Sequence, residues 1–208
     1  MRCTISLFFY IESIIKQSSI NISMLKHFDE IRKHIKDFDN KRESTIAISR
    51  NVIRISKQII YSIHRDDLKT AESLTKEIKS ELDKLDKKHY DTNIDCVAFQ
   101  EYVEALTYYE FVKTGKIPSF KDLKVDVEHY LLGLCDLTGE LVRKAVNDII
   151  RKKYGNALKI KELVEEIYGE FLKLDLRNNE LRVKSDSIKY NLKKLEDIIY
   201  DLKIKGLV

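Results

Sequence analysis

The first 114 residues of this 208-residue chain contain neither glycine nor proline. β-Hairpins depend on turn residues with positive φ, most often glycine, so such a stretch is hard to reconcile with a sheet. Apolar residues instead recur at three- and four-residue spacing, as at Phe28, Ile31, Ile35 and Phe38, which is the period of one helix face. The sequence therefore predicts an all-α protein.

Continuing the apolar pattern along the chain predicts a bundle of about six, and at most seven, helices. The predicted ranges are 24–64, 67–88, 95–114, 125–153, 157–174 and 178–204. Gly133 and Gly139 lie inside the fourth range, where each costs roughly 1 kcal/mol relative to alanine, so we expect close approach of a neighbouring helix at both. The first helix is very long, and residues 18–24 (SSINISM) are interpreted as a break before it. Residues 1–23 are then an N-terminal extension whose place in the fold the pattern does not define. With 43% hydrophobic residues, 24–208 is predicted to be one helical domain.

The N-terminus and the cysteines bear on location. The apolar run after Met1 is interrupted at Glu12 and is too short to span a bilayer. The three cysteines form no CxxC pair, and two of them lie in apolar segments, which favours reduced core residues. We predict a cytoplasmic protein with no membrane partner.

Two apolar segments each carry a pair of acids. Glu101 and Glu104 are spaced i,i+3, and Asp136 and Glu140 are spaced i,i+4, so each pair lies on one face of its helix. Acids in apolar surroundings need cations or a metal as partners. Four hard oxygen donors from two helices suit Mg²⁺ or Mn²⁺, and such a site favours phosphodiester chemistry.

The same acids have a simpler explanation, which spacing alone leaves open. Lys113, Arg143 and Lys144 are available to form buried ion pairs with them. A ferritin-like di-iron site is less suitable, because that site needs a Glu-x-x-His on two helices and the chain has none.

A stripe of basic and aromatic residues follows the long first helix opposite its isoleucines. Its members lie at i, i+4, i+7, i+11 and i+14: Arg50, Arg54, Lys57, Tyr61 and His64. A solvated helix face is the simplest interpretation. The functional one is a track for phosphates, with Tyr61 and His64 stacking on unpaired bases.

Three segments resemble the translin/Trax family. Residues 100–108 (QEYVEALTY) with 111–115 (FVKTG) are similar to a segment found across the family, and 126–143 (DVEHYLLGLCDLTGELVR) resembles a block of Trax. Residues 171–182 and 188–206 are similar to the C-terminal stretch of translin. The family forms all-helical oligomeric shells that bind single-stranded RNA and DNA, and its Trax-type subunits are Mg²⁺-dependent ribonucleases.

The resemblance implies roles for the four acids. Glu101, Glu104 and Asp136 would hold Mg²⁺ (or Mn²⁺), and Glu140 would orient the metal's water or act as general base. We therefore predict a metal-dependent endoribonuclease of single-stranded RNA, with single-stranded DNA as a further ligand. The rival hypothesis is a non-catalytic scaffold that only binds single strands.

The resemblance also implies self-association into a hexamer to octamer. Subunit contacts are expected along an apolar seam of the last helix. Its members are Leu181, Ile188, Leu192, Leu195, Ile199 and Leu202.

Overall fold

The computed structural model describes residues 3–85, 90–177 and 179–208, with α1 side chains described at Tyr10, at Ile14 and from Met24 onward. In these residues it has seven helices and no strand, so the predicted all-α class is confirmed. The helices are α1 (Cys3–His64), α2 (Leu68–Leu82), α3 (Ile94–Thr114), α4 (Phe120–Leu123), α5 (Val127–Ile150), α6 (Tyr154–Phe171) and α7 (Glu180–Ile204).

The chain divides into two compact units, Met1–Ser44 and Thr45–Val208. The first consists of the N-terminal part of α1, which runs without interruption through residues 18–24. The predicted break there is wrong, because serine and asparagine cost a helix only a few tenths of a kcal/mol each and no proline or glycine is present. The apolar residues Phe28, Ile31 and Ile35 of this unit are exposed. Whether a separate domain begins at residue 24 stays a prediction.

The second unit contains the hydrophobic core. From Thr45 onward α1 buries an isoleucine-rich face that includes Ile55, Ile59 and Ile63. Helix α5 is central, because it packs against α3, α6 and α7. The boundaries of α3, α5, α6 and α7 agree with the predicted ones to within three residues.

The structure departs from the predicted helices at two further places. Helix α2 ends at Leu82 rather than at residue 88, and the turn that follows buries Leu85; residues 86–88 lie outside the described part of the chain. The short helix α4 was not predicted. It is started by a capping box between Ser119 and Asp122 and ended by Lys124, whose φ is 56°.

Close helix approach was predicted at both glycines of α5, and it occurs at one of them. A Cβ on Gly133 would lie 2.6 Å from Val103 Cβ and 2.9 Å from the carbonyl oxygen of Gln100. Only glycine therefore allows α5 to pack this tightly on α3. At Gly139 the nearest atom would be Asn191 Nδ2 at 3.8 Å, an ordinary contact that needs no glycine.

The seam of α7 lies inside the single chain. All six seam residues are buried there, in the same core cluster as residues of α5 and α6. The expectation that they form subunit contacts is therefore wrong. A heptad-like stripe looks the same whether its partner helix belongs to the same chain or to another.

None of the helices in the described ranges combines the length and the apolar content needed to cross a lipid bilayer.

Candidate metal and nucleic-acid site

The close packing of α3 on α5 brings the four predicted acids to one cavity of about 560 Å³, which we call the acidic cavity. The i,i+3 pair of α3 and the i,i+4 pair of α5 each present both carboxylates on one helix face, and Gly133 lets the two faces approach. Residues of α1, α3, α5 and α7 line the cavity. They are Lys57, Ile60, Tyr61, Glu101, Glu104, Asp136, Glu140, Arg143 and Lys184.

Cations compensate three of the four acids. Lys57 Nζ lies 3.6 Å from Glu101 Oε1, and Lys184 Nζ lies 2.5 Å from Asp136 Oδ2. Glu140 Oε2 lies 3.7 Å from Arg143 and also contacts His64 Nε2. The ion-pair interpretation is therefore partly correct.

Two of the three cations expected as partners lie elsewhere. Only Arg143 reaches the acids. Lys113 pairs with Glu72 at 2.9 Å, and Lys144 pairs with Asp148 at 2.5 Å.

Glu104 is the exception among the acids. In the described part of the chain no cation lies within salt-bridge distance of its carboxylate. Burial, and then the negative charges of Asp136, Glu101 and Glu140, raise the pKa of Glu104 to about 8. Burial also raises the pKa of Glu101, against the lowering effect of Lys57. The surroundings of Glu104 therefore disfavour its ionised form, and the cations at the cavity do not compensate for this.

The donor chemistry fits a hard divalent cation, but the donors are not gathered into a finished site. Among the described residues no group of three or more His, Cys, Asp or Glu side chains is close enough to hold a metal ion. Lys57 and Lys184 are paired with two of the carboxylates. Ion binding would therefore require Lys184 to release Asp136 and the carboxylates to rotate toward one another.

The basic stripe reaches the acidic cavity. Arg50, Arg54, Lys57 and Tyr61 are exposed on α1, and the last two also line the cavity. Arg54 is held in place by hydrogen bonds to Asn51 at 2.7 Å and Gln58 at 2.9 Å. A polyanion following this face would thus arrive at the carboxylates.

His64 does not belong to the exposed stripe. Its side chain is only 4% exposed, so the predicted stacking on an unpaired base is wrong. Helix α1 ends at this residue, and its last turn faces α5, where His64 contacts Glu140. Helical spacing extends the exposed stripe to His64, but α5 covers this position.

Sequence reasoning missed Lys184 and Arg65. Lys184 lies three residues after Leu181 and four before Ile188, on the buried face of α7, where the pattern calls for an apolar residue. A charge at such a position was the available signal. Arg65 lies beyond the end of α1 and stacks over the Tyr61 ring at 5.5 Å, a contact that helical spacing does not reveal.

The chain is similar in sequence and in fold to proteins of one family. The model of the Translin family matches residues 28–206. The chain is 41% identical to Translin of Gallus gallus over 83 residues, which are 40% of this chain and 36% of that protein. It is 26% identical to the Translin-associated protein X homolog of Schizosaccharomyces pombe over 85% of this chain and 87% of that one. The solved structure of apo-NeC3PO superposes with a TM-score of 0.77 at 31% identity, over 83% of this chain and 95% of the other.

Proposed function

The chain belongs to the Translin family, and we propose that it is a magnesium-dependent endoribonuclease that cleaves single-stranded RNA at the acidic cavity. The observation that carries this proposal is Glu104, a half-buried carboxyl group whose pKa is raised to about 8 and which has no cation partner among the described residues. Such a group is destabilising in a purely structural role. Binding a divalent cation would remove the penalty.

In the proposed site, three of the four acids bind the metal ion. Glu101, Glu104 and Asp136 would hold Mg²⁺, with Mn²⁺ as a substitute, because carboxylate oxygens are the ligands these ions prefer. When bound, the ion supplies charge stabilisation at the scissile phosphate and lowers the pKa of an attacking water. Asp136 would be freed for this role when Lys184 turns away from it.

Glu140 is the proposed general base. It takes a proton from water as the water oxygen forms a bond to phosphorus, while the bond from phosphorus to the leaving sugar oxygen breaks and that oxygen takes a proton from solvent. Arg143 and Lys184 line the same cavity and would stabilise the negative charge that develops on the phosphate.

The basic stripe, without His64, would guide the strand to this cavity. Phosphate contacts by Arg50, Arg54 and Lys57 fix the register of a strand without reading its sequence. The exposed ring of Tyr61, stacked with Arg65, offers a surface for one base. Single-stranded DNA carries the same phosphates and is a further proposed ligand.

Self-association into six to eight subunits is part of the proposal. The exposed apolar residues Phe28, Ile31 and Ile35 support it, since a contiguous apolar surface favours association. Light scattering on the purified protein measures the native mass, and a monomer at micromolar concentration would exclude this assembly.

One observation favours a second candidate function, a scaffold that binds single strands without cutting them. The carboxylates are not gathered into a metal site among the described residues, and Lys57 and Lys184 pair with two of them. In a scaffold these ion pairs would persist and no ion would enter.

Cleavage of a labelled single-stranded RNA, with Mg²⁺ and with EDTA, separates the two functions. The enzyme should cleave only with Mg²⁺, and Asp136→Asn should lower cleavage by about a hundredfold or more while strand binding persists. Glu110→Gln is the matched control, because Glu110 lies on α3 outside the acidic cavity. Cleavage that survives EDTA, or that Asp136→Asn leaves unchanged, would refute the metal-site assignment.

A further inference from the structure

His64 connects the acidic cavity to the protein interior. Its Nε2 contacts Glu140 Oε2, and its Nδ1 lies 3.2 Å from the hydroxyl oxygen of Tyr108. The two rings are tilted against each other with centroids 5.3 Å apart. Tyr108 is completely buried, whereas Glu140 lines the cavity with 23% of its side chain exposed. A continuous chain of polar contacts therefore leads from the core to a carboxylate at the proposed reaction site.

The partners of His64 determine which ring nitrogen carries the proton. Nδ1 faces the Tyr108 hydroxyl and, at 3.5 Å, the amide nitrogen of Asn147. The amide nitrogen of Asn147 can only donate, and the Tyr108 hydroxyl can donate as well. Two donors directed at Nδ1 require it to accept, and in a neutral imidazole the proton then lies on Nε2. Nε2 therefore donates to the Glu140 carboxylate.

The backbone of His64 is held as well as its ring. Arg151 donates from its NH2 group to the His64 carbonyl oxygen at 3.3 Å, and its NH1 group pairs with Asp66. Glu140 and Asn147 lie seven residues apart on one face of α5, and Arg151 is the residue that follows the end of this helix, so α5 and its C-cap supply all three contacts. The end of α1 is thereby fixed against the helix that carries the proposed base.

The chain contains a second buried histidine that lacks these features. His129 stacks on Phe99 with ring centroids 5.2 Å apart, its Nδ1 has no hydrogen-bond partner among the described residues, and it does not line the acidic cavity. Burial alone therefore does not explain why His64 contacts Glu140, a residue that lines the cavity.

We propose that His64, oriented by Tyr108 and Asn147, is a positioning residue that fixes the Glu140 carboxylate for proton transfer. This inference rests on the proposed function and assigns a role within the same site to a residue that does not touch the substrate. A charge-assisted hydrogen bond holds one carboxylate oxygen and leaves the other for water. Fixed geometry matters because a misplacement of about 1 Å can lower a rate by about a hundredfold.

Substitutions at His64 test the role through turnover. His64→Leu removes the donor and should lower kcat for RNA cleavage by about 10- to 100-fold with little change in KM. His64→Gln keeps an acceptor and a donor at similar positions and should recover most of that loss. Tyr108→Phe, which removes only the orienting hydroxyl, should have a smaller effect than His64→Leu. His129→Gln is the matched control and should leave kcat unchanged.

The tautomer gives a readout that does not depend on turnover. Nuclear magnetic resonance of ¹⁵N-histidine-labelled protein should place the His64 proton on Nε2, and Glu140→Gln should shift the resonance of that proton. A proton on Nδ1 overturns the inference, as does equal loss of kcat in His64→Gln and His64→Leu while the wild type cleaves. A wild type that cleaves with no divalent ion overturns the proposed function itself, and the positioning role with it. The His64 resonance still decides the hydrogen bond in a variant of reduced stability.

Discussion

Helix α5 carries two groups of charged side chains, one buried and one half-buried, that differ in how completely their charges are paired. In the first, Asp148 accepts from Lys144 Nζ at 2.5 Å and from Asn156 Nδ2 at 3.1 Å, so both of its carboxylate oxygens have partners. In the second, the acidic cavity, Asp136 and Glu140 share a face with the acids of α3, and Glu104 has no cation partner among the described residues.

The two clusters differ in where their counter-charges come from. Lys144 and Asp148 are spaced i,i+4, so one helix neutralises itself locally. Asp136 and Glu140 have the same spacing and the same charge, so they repel each other and depend on Lys184, Arg143 and His64 from around the cavity. A cluster that neutralises itself stabilises the native state, whereas a carboxyl group whose pKa its surroundings raise lowers stability and is typical of functional sites.

The largest expected effect is on stability. Removing an acid should lower the free energy of unfolding in the first cluster and raise it in the second. Asp148→Asn leaves the Lys144 ammonium buried without a counter-charge and should lower the free energy of unfolding by about 3–5 kcal/mol. Glu104→Gln removes a carboxyl group whose ionisation the folded state disfavours and should raise the free energy of unfolding at neutral pH by about 1 kcal/mol or more, since one unit of pKa shift corresponds to about 1.4 kcal/mol. Urea denaturation monitored by circular dichroism measures both.

Changes in the free energy of unfolding with the same sign and similar size in Asp148→Asn and Glu104→Gln would contradict this comparison. Cleavage per folded molecule adds a second criterion, because Asp148→Asn should retain it and Glu104→Gln should lose it.

An intermediate effect is expected on the exposed face that leads to the cavity. Reversing Arg50, Arg54 and Lys57 to Glu should weaken single-strand binding for every sequence tested. The log–log salt slope should also flatten by about 0.7 for each phosphate that the variant no longer neutralises. Fluorescence anisotropy at several salt concentrations measures both quantities.

Reversal of three exposed lysines of α7, Lys189, Lys193 and Lys194, changes the net charge equally and is the control. If both triple variants weaken single-strand binding equally, the basic stripe contributes only through the net charge of the protein.

The last expected effect is a gradual dependence of stability on pH. The pKa of Glu104 is about 8 in the folded chain, against an ordinary value of 4.5 for a glutamate. The folded state therefore binds more protons between these values, and stability should fall as pH rises through that window. Melting temperatures from about pH 5 to about pH 9 should decline in the wild type and in Asp148→Asn, and less steeply in Glu104→Gln. A Glu104→Gln variant with the wild-type slope would mean that another group causes the decline.

The local sequence pattern was sufficient to predict most of the helices and to place each acidic pair on one helix face. The period of Phe28, Ile31 and Ile35 predicted α1 even where those side chains remain exposed, because helical periodicity is a property of contiguous sequence. Spacing placed each acidic pair on one face, and Gly133 correctly indicated a close helix approach. The start of α1 and the short helix α4 were missed, since weak helix formers and capping residues leave boundaries poorly defined.

The all-α class and the two pairs of like-charged carboxylates on neighbouring helices follow from the amino-acid pattern alone. The cations that face those carboxylates became apparent only from the folded chain: they are Lys184 of α7 and Lys57 of α1 rather than Lys113 or Lys144. The tertiary structure also moved His64 from a predicted surface stripe to a buried contact with Glu140, and the α7 seam from a subunit interface to the core. The physical reason is that periodicity specifies which side chains share a face, whereas the partner of that face depends on helix packing between residues far apart in the chain.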